Sequence, residues 1–301
     1  MNRLSAILVA LSIVLSQACL PSYCAYGEEG SKTVNPSPTA VNIQLEDYMN
    51  VLQAVQVELG SDTLPFIFDT GGGLTIITPQ VADRIHCDPY GRVTGFRMSG
   101  ERVDLQRCGE LSLKVGGLSL KVETTVFDLM SLLPEGWPEL GGVISLQTFR
   151  DRILTLDLAA NRMTVETETS ASDRVAQMKQ MSARLDNQCG GSCLDVFIEV
   201  RAERGSIWLE LDTGNSGHLL LAPHACRQLG LERDENDEKP GEDPSLLGEV
   251  VLDFVGLGPI PVVAKEQEMI YDGLINAATI RKLLLTMDLR TGEIWGKVRE
   301  P

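Results

Sequence analysis

The sequence contains the same structural unit twice. Residues 51–71 read VLQAVQVELGSDTLPFIFDTG, and residues 194–214 read LDVFIEVRAERGSIWLELDTG. In each copy two apolar, β-rich runs flank a short turn, at 60–62 and at 203–205, which predicts a β-hairpin. Each hairpin leads directly into an Asp-Thr-Gly triplet. Repetition constrains the fold more than any single motif, because the two copies are expected to adopt equivalent structures.

The repetition continues beyond the triplets. A proline follows each apolar run, Pro79 or Pro223, as is typical of the first turn of a helix. The ends of the copies correspond best: they read GGVISLQTFRDRILTLDLAANRMTV and DGLINAATIRKLLLTMDLRTGEIW. Each predicts an apolar strand, a short helix and a closing hairpin. We therefore predict an N-terminal lobe over residues 41–167 and a C-terminal lobe over residues 191–301.

The segment between the lobes is predicted to be helical. Val175, Met178, Met181 and Leu185 recur at roughly helical spacing, and serines precede them as N-cap candidates. These positions predict a connecting helix over residues 168–190. We interpret its apolar positions as a buried helix face, with a methionine-lined binding groove as the alternative.

The N-terminus has the composition of a targeting segment. Arg3 supplies a positive charge, and residues 4–18 are almost wholly apolar, a run that is short for a membrane span and typical of a signal peptide. We predict a signal peptide over residues 1–26 and a flexible leader over residues 27–40. The mature protein is then exported, secreted or periplasmic, without a membrane span. Cys19 directly follows Ala18, which leaves a lipid anchor at Cys19 as an alternative.

Net charge and cysteine content limit which partners and bound groups the protein is expected to have. A net charge of −16 disfavours nucleic acid as a partner, because the protein repels phosphate backbones. Export permits disulfides, and the favoured local pairings are Cys87 with Cys108 and Cys189 with Cys193. The competing interpretation is a zinc site, but the sequence has no Cys-x-x-Cys pair and its three histidines are scattered. We therefore predict neither a metal nor a cofactor.

The two Asp-Thr-Gly triplets form the candidate site. One triplet alone is weak evidence, because aspartate often bonds nearby backbone in turns. Two equivalent loops can meet face to face, and carboxylates within about 3 Å of each other share one proton. The ionised member then takes a proton from water and the protonated member polarises a carbonyl, which is general acid–base hydrolysis of an amide. The predicted pair is Asp69 and Asp212, and the predicted supporting residues are Thr70, Gly71, Gly72, Thr213, Gly214 and Asn215.

At these residues the sequence resembles the pepsin and retropepsin group of aspartic proteases, particularly bacterial retropepsin-like proteins. The resemblance spans residues 41–298 and rests on FIFDTGGGLTIITP, LELDTGNSGHLLLAP, GGVISLQTF and DGLINAATI. It implies an all-β, bilobal acid-protease fold with short helices, in which two pseudo-symmetric, closed, β-barrel-like lobes flank a cleft. It also implies that Asp69 and Asp212 are the catalytic pair of an aspartic-type endopeptidase acting on polypeptides. Since one chain supplies both aspartates, a monomer is expected.

The sequence departs from the family at four positions. Ser145 and Asn276 stand where the family's tail element has glycine, and Asn tolerates a left-handed backbone better than Ser does. Gly72 stands where pepsins carry a hydroxyl residue, and Asn215 offers a side-chain amide near Asp212. The alternative function is therefore a catalytically degenerate protein that binds peptides or a partner on the same fold.

A hairpin is also predicted after the first triplet. Residues 92–107, RVTGFRMSGERVDLQR, read as two strands around Ser99 and Gly100. The resemblance implies a flap over the cleft, and a plain surface hairpin is the alternative.

Overall fold

The structure, a computed structural model, describes residues 13–14, 39–231 and 243–299, and most of these residues lie in β-strands. The strands of the first half are β1 Ile13–Val14, β2 Val41–Gln44, β3 Glu46–Tyr48, β4 Leu52–Leu59, β5 Asp62–Phe68, β6 Thr75–Ile77, β7 Tyr90–Arg97, β8 Arg102–Val115, β9 Leu118–Val126, β10 Gly142–Ile144, β11 Ile153–Asp157 and β12 Arg162–Glu166. Those of the second half are β13 Lys179–Met181, β14 Ala183–Asp186, β15 Asp195–Ala202, β16 Gly205–Leu211, β17 Leu219–Leu221, β18 Leu246–Phe254, β19 Gly258–Glu266, β20 Gly273–Ile275, β21 Leu283–Asp288 and β22 Glu293–Val298. The helices are α1 Pro79–Arg84, α2 Glu168–Val175, α3 Gln188–Gly191, α4 Pro223–Gln228 and α5 Ala277–Ile280, with 3₁₀ turns at Leu129–Leu132, Leu146–Phe149 and Leu158–Ala160.

Each half of the chain closes a ring of six strands. In the first half the order is β4-β5-β10-β6-β9-β8, and β8 pairs back onto β4. In the second half the order is β15-β16-β20-β17-β19-β18, and β18 pairs back onto β15. Corresponding strands occupy corresponding places in the two rings. The expectation of an all-β, bilobal acid-protease fold with two pseudo-symmetric closed lobes is confirmed.

The apolar patterns noted in the sequence form the ring cores. In β4 the residues Val55, Val57 and Leu59 are buried while the intervening Gln56 and Glu58 are exposed, as period-two alternation requires. The end of β5 is different, because Phe66, Ile67 and Phe68 are all buried. A strand covered on both faces delivers the residue that follows it, Asp69, into the interior.

A third sheet joins the two halves. Its order is β13-β22-β21-β11-β12-β2, so the closing hairpins of both lobes lie side by side. Strands β11 and β21 pair antiparallel with Thr155 opposite Thr286, and the two hydroxyl oxygens lie 2.9 Å apart. Equivalent residues therefore meet at the boundary between the lobes.

The predicted connecting helix over residues 168–190 is wrong in extent. Helix α2 begins after Thr167, whose side chain accepts the Ser170 N–H, and ends at Val175. Residues 179–186 instead form β13 and β14, which pair with β22 and β15. Met181 and Leu185 fit strand alternation as well as helical spacing, and the open edges of two sheets favour the strand.

Most of the predicted signal peptide, over residues 1–26, and of the predicted leader, over residues 27–40, lies outside the described residues. The described part of the signal segment is β1, where Ile13 and Val14 pair antiparallel with Arg97 and Phe96 of β7. Among the described residues, no helix has the length and apolar character needed to cross a membrane.

The cysteine predictions have different outcomes. Cys87 and Cys108 form a disulfide whose Cα atoms are 6.0 Å apart. It ties the segment after α1 to the middle of β8. Cys189 and Cys193 are not joined by a disulfide, although their side chains lie within hydrogen-bonding contact of each other.

Close packing of the inner strands β10 and β20 against their neighbours requires glycine at two positions. A Cβ at Gly142 would lie 1.9 Å from the carbonyl oxygen of Ile76, and one at Gly273 would lie 2.3 Å from that of Leu220. We expect Gly142→Ala and Gly273→Ala each to lower the free energy of unfolding by about 3 kcal/mol or more, at or beyond the upper range for overpacking, because a neighbouring strand must move. Reversible urea unfolding measures this.

The control is Gly60→Ala. Gly60 has φ +64° and nothing within 4 Å of an added Cβ, so only the left-handed backbone opposes the change, at about 1–2 kcal/mol. Equal losses in the control and in the two inner-strand variants would contradict the close approach.

Candidate active site

The two Asp-Thr-Gly loops meet between the lobes. Asp69 follows β5 and Asp212 follows β16, and both side chains are fully buried. The N–H of Asp69 donates to the carbonyl of Ile144 at 3.0 Å, and the N–H of Asp212 donates to that of Ile275 at 3.0 Å. Thus β10 and β20 fix the two loops through equivalent backbone hydrogen bonds.

The threonines lock the loops together. The N–H of Thr70 donates to Oγ1 of Thr213, and the N–H of Thr213 donates to Oγ1 of Thr70, both at 3.0 Å. Each hydroxyl then donates across the interface, from Thr70 to the Leu211 carbonyl at 2.6 Å and from Thr213 to the Phe68 carbonyl at 2.9 Å. The structure therefore brings the predicted supporting threonines into one reciprocal network.

The glycines of the triplets let each loop contact the opposite carboxylate. A Cβ at Gly71 would lie 2.9 Å from Cγ of Asp212, and one at Gly214 would lie 2.6 Å from Oδ2 of Asp69. A side chain at either position would displace an aspartate. The predicted role of Gly71 and Gly214 in close approach agrees with these distances.

Burial and mutual charge set the electrostatics of the pair. Burial, followed by the negative charge of Asp212, raises the pKa of Asp69 well above its ordinary value. The N–H of Gly71, which donates to Oδ1 at 3.0 Å, and the nearby N–H of Gly214 act in the opposite direction. The carboxyl groups of Asp69 and Asp212 also interact directly through their side chains, which raises the pKa of Asp69 further. The pair is thus arranged to hold a proton between its two members.

The residues after the triplets differ from each other. At Gly72 a Cβ would lie 3.3 Å from Oδ2 of Asp69, so a side chain there would contact the carboxylate. The N–H of Asn215 donates to Oδ1 of Asp212 at 3.1 Å. The expectation that the Asn215 side-chain amide donates near Asp212 is not met, because Nδ2 donates to the His218 carbonyl at 3.1 Å. The Asn215 side chain thus stabilises the backbone of the turn that follows the second triplet.

Ser145 and Asn276, which replace the family's tail glycine, do not strain the backbone. Their φ angles are −103° and −74°, both in the extended region. Asn276 Oδ1 accepts the Thr279 N–H at 3.1 Å and caps α5. A left-handed conformation is therefore not required at either place, and the tolerance of Asn for it has no bearing here.

The predicted hairpin over residues 92–107 is formed by β7 and β8. Its tip reaches the other lobe, because the Ile270 N–H donates to the Met98 carbonyl at 3.0 Å. Met98 is fully buried and packs against Leu220 and Leu274 of the second ring. The hairpin thus spans the space between the lobes, unlike a plain surface hairpin.

Sequence reasoning missed two acidic residues beside the pair. Glu210, two residues before Asp212, is fully buried, and Asp195 at the start of β15 is 2% exposed. The signal was present in the repeat, because LELDTG carries a glutamate where FIFDTG carries Ile67. A charged residue in an otherwise apolar, buried strand needs a partner or a purpose.

Comparison with known proteins agrees with this picture. A family model described as Aspartyl protease matches residues 55–158, a range that contains Asp69 but not Asp212. Among solved structures, the chain is similar to basic 7S globulin from soybean, with a TM-score of 0.52 and 10% identity over 87% of this chain and 95% of that chain. At that identity the likeness concerns the fold alone. No curated protein matches the chain.

The raised pKa of Asp69 predicts that this carboxyl opposes folding at neutral pH. The unfolded carboxyl ionises near pH 4, whereas the folded one retains its proton to higher pH. The folded state then binds more protons, and stability falls as pH rises through this window. We expect Asp69→Asn to melt at a higher temperature than the unmodified protein at pH 7, and at a similar temperature near pH 3.

Asp104→Asn is the matched control. Its exposed carboxyl is hydrogen-bonded to Thr94 and Arg102, which lower its pKa. Its replacement should therefore not raise the melting temperature at pH 7. A lower melting temperature for Asp69→Asn at pH 7 would contradict the electrostatic strain at the pair.

Proposed function

We propose that this protein, whose residues 55–158 match the aspartyl protease family model, is an aspartic-type endopeptidase and that Asp69 and Asp212 are its catalytic pair. The observation that carries this proposal is the reciprocal burial of the two carboxylates. Each lies against the glycine of the opposite loop, and both loops are fixed by the Thr70–Thr213 network. A pair so held can share one proton and present it to a substrate.

The proposed mechanism is general acid–base hydrolysis. The ionised carboxylate accepts a proton from a water molecule held between the two aspartates, and that water attacks the carbonyl carbon of the scissile bond. The protonated carboxyl donates to the carbonyl oxygen and stabilises the developing tetrahedral intermediate. Proton transfer to the leaving nitrogen then completes cleavage. No covalent intermediate is needed, because water is the nucleophile.

The proposed substrate is an extended polypeptide segment. The hairpin of β7 and β8 reaches from the first lobe to the second, which supports a role as a flap over the cleft. A covering element of this kind excludes water and clamps a peptide against the pair. The chain carries both aspartates, which supports action as a monomer.

We also propose that the protein is exported. The apolar segment near the N-terminus and the Cys87–Cys108 disulfide support an oxidising compartment.

The alternative function, a degenerate protein that only binds peptides, drew its support from Ser145 and Asn276. The extended backbone at both residues removes strain as a reason for inactivity. The closed threonine network likewise supports hydrolysis over binding alone.

The shared-proton mechanism predicts the behaviour of three variants. Asp69→Asn and Asp212→Asn should each lose nearly all activity, and the double variant should be little worse than either, because the two residues act as a unit. The measurement is kcat/KM on a peptide found by library digestion and mass spectrometry, with melting curves to verify folding. Glu58→Gln, an exposed change in the first lobe, is the control. Substantial activity in either single variant would rule out the assignment.

The absence of a side chain at Gly72 leads to a prediction for the dependence of kcat/KM on pH. Without a hydroxyl beside Asp69, the acid of the pair should hold its proton to higher pH than in pepsins, and we expect an optimum near about pH 5–6. In Gly72→Ser the added Oγ can donate to the ionised carboxylate, because the Cβ would lie 3.3 Å from Oδ2. A donor to the charged form lowers the pKa, so the upper limb of kcat/KM against pH should move down.

Gly72→Ala separates the hydroxyl from the added carbon, since it introduces the same Cβ without a donor. The upper limb of this control should lie above that of Gly72→Ser. An unmodified optimum below about pH 3.5, where pepsin's own pair titrates, would contradict the argument, as would identical profiles for the two variants.

A further inference from the structure

One face of the second ring carries a row of carboxylates beside Asp212. In the β15–β16 pair, Phe197 lies opposite Glu210, and Asp186 of β14 lies opposite Asp195. Directly opposed residues share a face, and so do residues two apart along a strand. Asp195, Glu210 and Asp212 therefore share one face, next to one another across two adjacent strands.

These acidic side chains contain buried acceptors that lack donors. Within the described residues, neither oxygen of Glu210 has a hydrogen-bond partner, nor has Oδ1 of Asp195, nor the buried Oε1 of Gln188. The amide of Gln188 is already used, because Nε2 donates to the Tyr271 hydroxyl at 2.8 Å and to Asp186 at 3.2 Å. Buried polar atoms are nearly always paired in folded proteins. These four unpaired oxygens are all acceptors when the carboxyls are ionised, and they then indicate a missing group that is rich in donors.

The described cation on this face is engaged elsewhere. The guanidinium of Arg184 lies over the rings of Phe197 and Trp208, with its central carbon 5.0 Å and 4.9 Å from the two ring centres. A metal ion is a poor candidate for the missing group, because no three His, Cys, Asp or Glu side chains among the described residues are arranged to hold one.

This row of carboxylates borders the cleft. Leu274 lies opposite Glu210 on the other side of β16 and packs against Met98 at the tip of the hairpin. Asp195 lies beside the first catalytic loop, since a Cβ at Gly73 would be 3.2 Å from its Oδ1. Asp195 thus adjoins the first catalytic loop, and Glu210 adjoins the strand that contacts the tip of the hairpin, and these are the elements expected to flank a scissile bond.

The first lobe provides an internal comparison. In its equivalent β4–β5 pair, Ala54 lies opposite Ile67, which corresponds to Glu210 as the residue two before the aspartate. Leu52 begins β4 as Asp195 begins β15. Ile67 and Leu52 are apolar and buried. The two sides of the cleft thus share one backbone arrangement but differ in charge.

We propose that Glu210 and Asp195 form a subsite for a lysine or arginine side chain of the substrate, next to the scissile bond on the side of the second lobe. The substrate residue on the other side of the scissile bond faces Ile67 of the first lobe, and we expect that substrate residue to be apolar. The ammonium or guanidinium donates to the unpaired oxygens of Glu210 and Asp195, as charge-assisted hydrogen bonds require. This subsite rests on the proposed hydrolytic function and adds the substrate class to it.

The electrostatics are consistent with a cationic occupant. Burial is the main cause that raises the pKa of both Glu210 and Asp195, and the charges of neighbouring carboxylates raise both further. A positive charge beside them favours the ionised forms and offsets that repulsion.

The test uses a peptide that the protein cleaves, found by library digestion. The residue on each side of the scissile bond is replaced in turn by arginine, lysine or norleucine, a neutral side chain of similar length. On one side of the scissile bond only, the peptide with arginine or lysine should give a kcat/KM at least about tenfold above that of the norleucine peptide. Such a ratio is expected where unpaired polar groups of a site select for their partner.

Three variants locate the effect. Glu210→Leu, which introduces an apolar side chain as in the first lobe, should abolish the preference for a basic residue and favour norleucine. Glu210→Gln keeps the shape of the side chain but removes its charge. This variant should lose the preference for a basic residue without gaining a preference for norleucine. Glu249→Gln removes one exposed negative charge from the same lobe and should keep the preference. A cooperative melting transition verifies that each variant folds.

Binding of library peptides that carry arginine, lysine or norleucine to Asp69→Asn, measured by fluorescence anisotropy, separates the two proposals whether or not any peptide is cleaved. If no peptide is cleaved but basic peptides bind in preference and Glu210→Leu removes that preference, hydrolysis fails and the subsite stands. If peptides are cleaved without regard to charge, or if Glu210→Leu retains the basic preference, the subsite is overturned and hydrolysis stands.

Discussion

The reciprocal hydrogen bonds between Thr70 and Thr213 are the constraint on which the rest of the site depends. Each threonine accepts the other's N–H and donates its hydroxyl to the strand that carries the opposite aspartate. Moving one loop would leave several buried donors and acceptors unpaired, at about 1–3 kcal/mol for each group. That network opposes the repulsion that burial and proximity create between Asp69 and Asp212. Without it, the two carboxylates would be expected to separate and become solvated individually.

The network can form only because the two rings have the same construction. β10 and β20 lie beside the strands that end in the aspartates, and Ile144 and Ile275 accept the N–H groups of Asp69 and Asp212. The sheet that joins the lobes then places β11 beside β21. Symmetry thus sets the position of the pair, whereas its surroundings depart from symmetry. The hairpin that crosses the cleft belongs to the first lobe, and the buried carboxylates beside the pair belong to the second.

The repeat in the sequence was sufficient to predict the two lobes, the hairpin turns, the short helices after Pro79 and Pro223, and the meeting of the two triplets, and the resemblance to aspartic proteases implied that the lobes are closed. It failed where local pattern and tertiary pairing compete. Met181 and Leu185 fit a helix and a strand equally well, and two sheets with open edges made them strands. The side chain of Asn276 donates to the Gly217 carbonyl, a neighbour distant in sequence, and the Asn215 amide donates to the His218 carbonyl in its own turn, so neither bond could be read from the triplet alone. Glu210 was visible in the sequence, but its burial became evident only when β15, β16 and β20 were seen side by side.

The proposed subsite also links substrate recognition to the protonation of the proposed catalytic pair through Glu210. The charges of Asp69 and Asp212 raise the pKa of Glu210, and this interaction is mutual, so an ionised Glu210 also disfavours ionisation of the pair. A basic side chain in the proposed subsite neutralises Glu210 and reduces that repulsion. A basic substrate therefore lets Glu210 ionise without adding to the repulsion at the pair, whose ionised member activates water. The residues proposed to choose the substrate, Glu210 and Asp195, share one face of one sheet with Asp212, and this places them within the electrostatic reach of the pair proposed to cleave it.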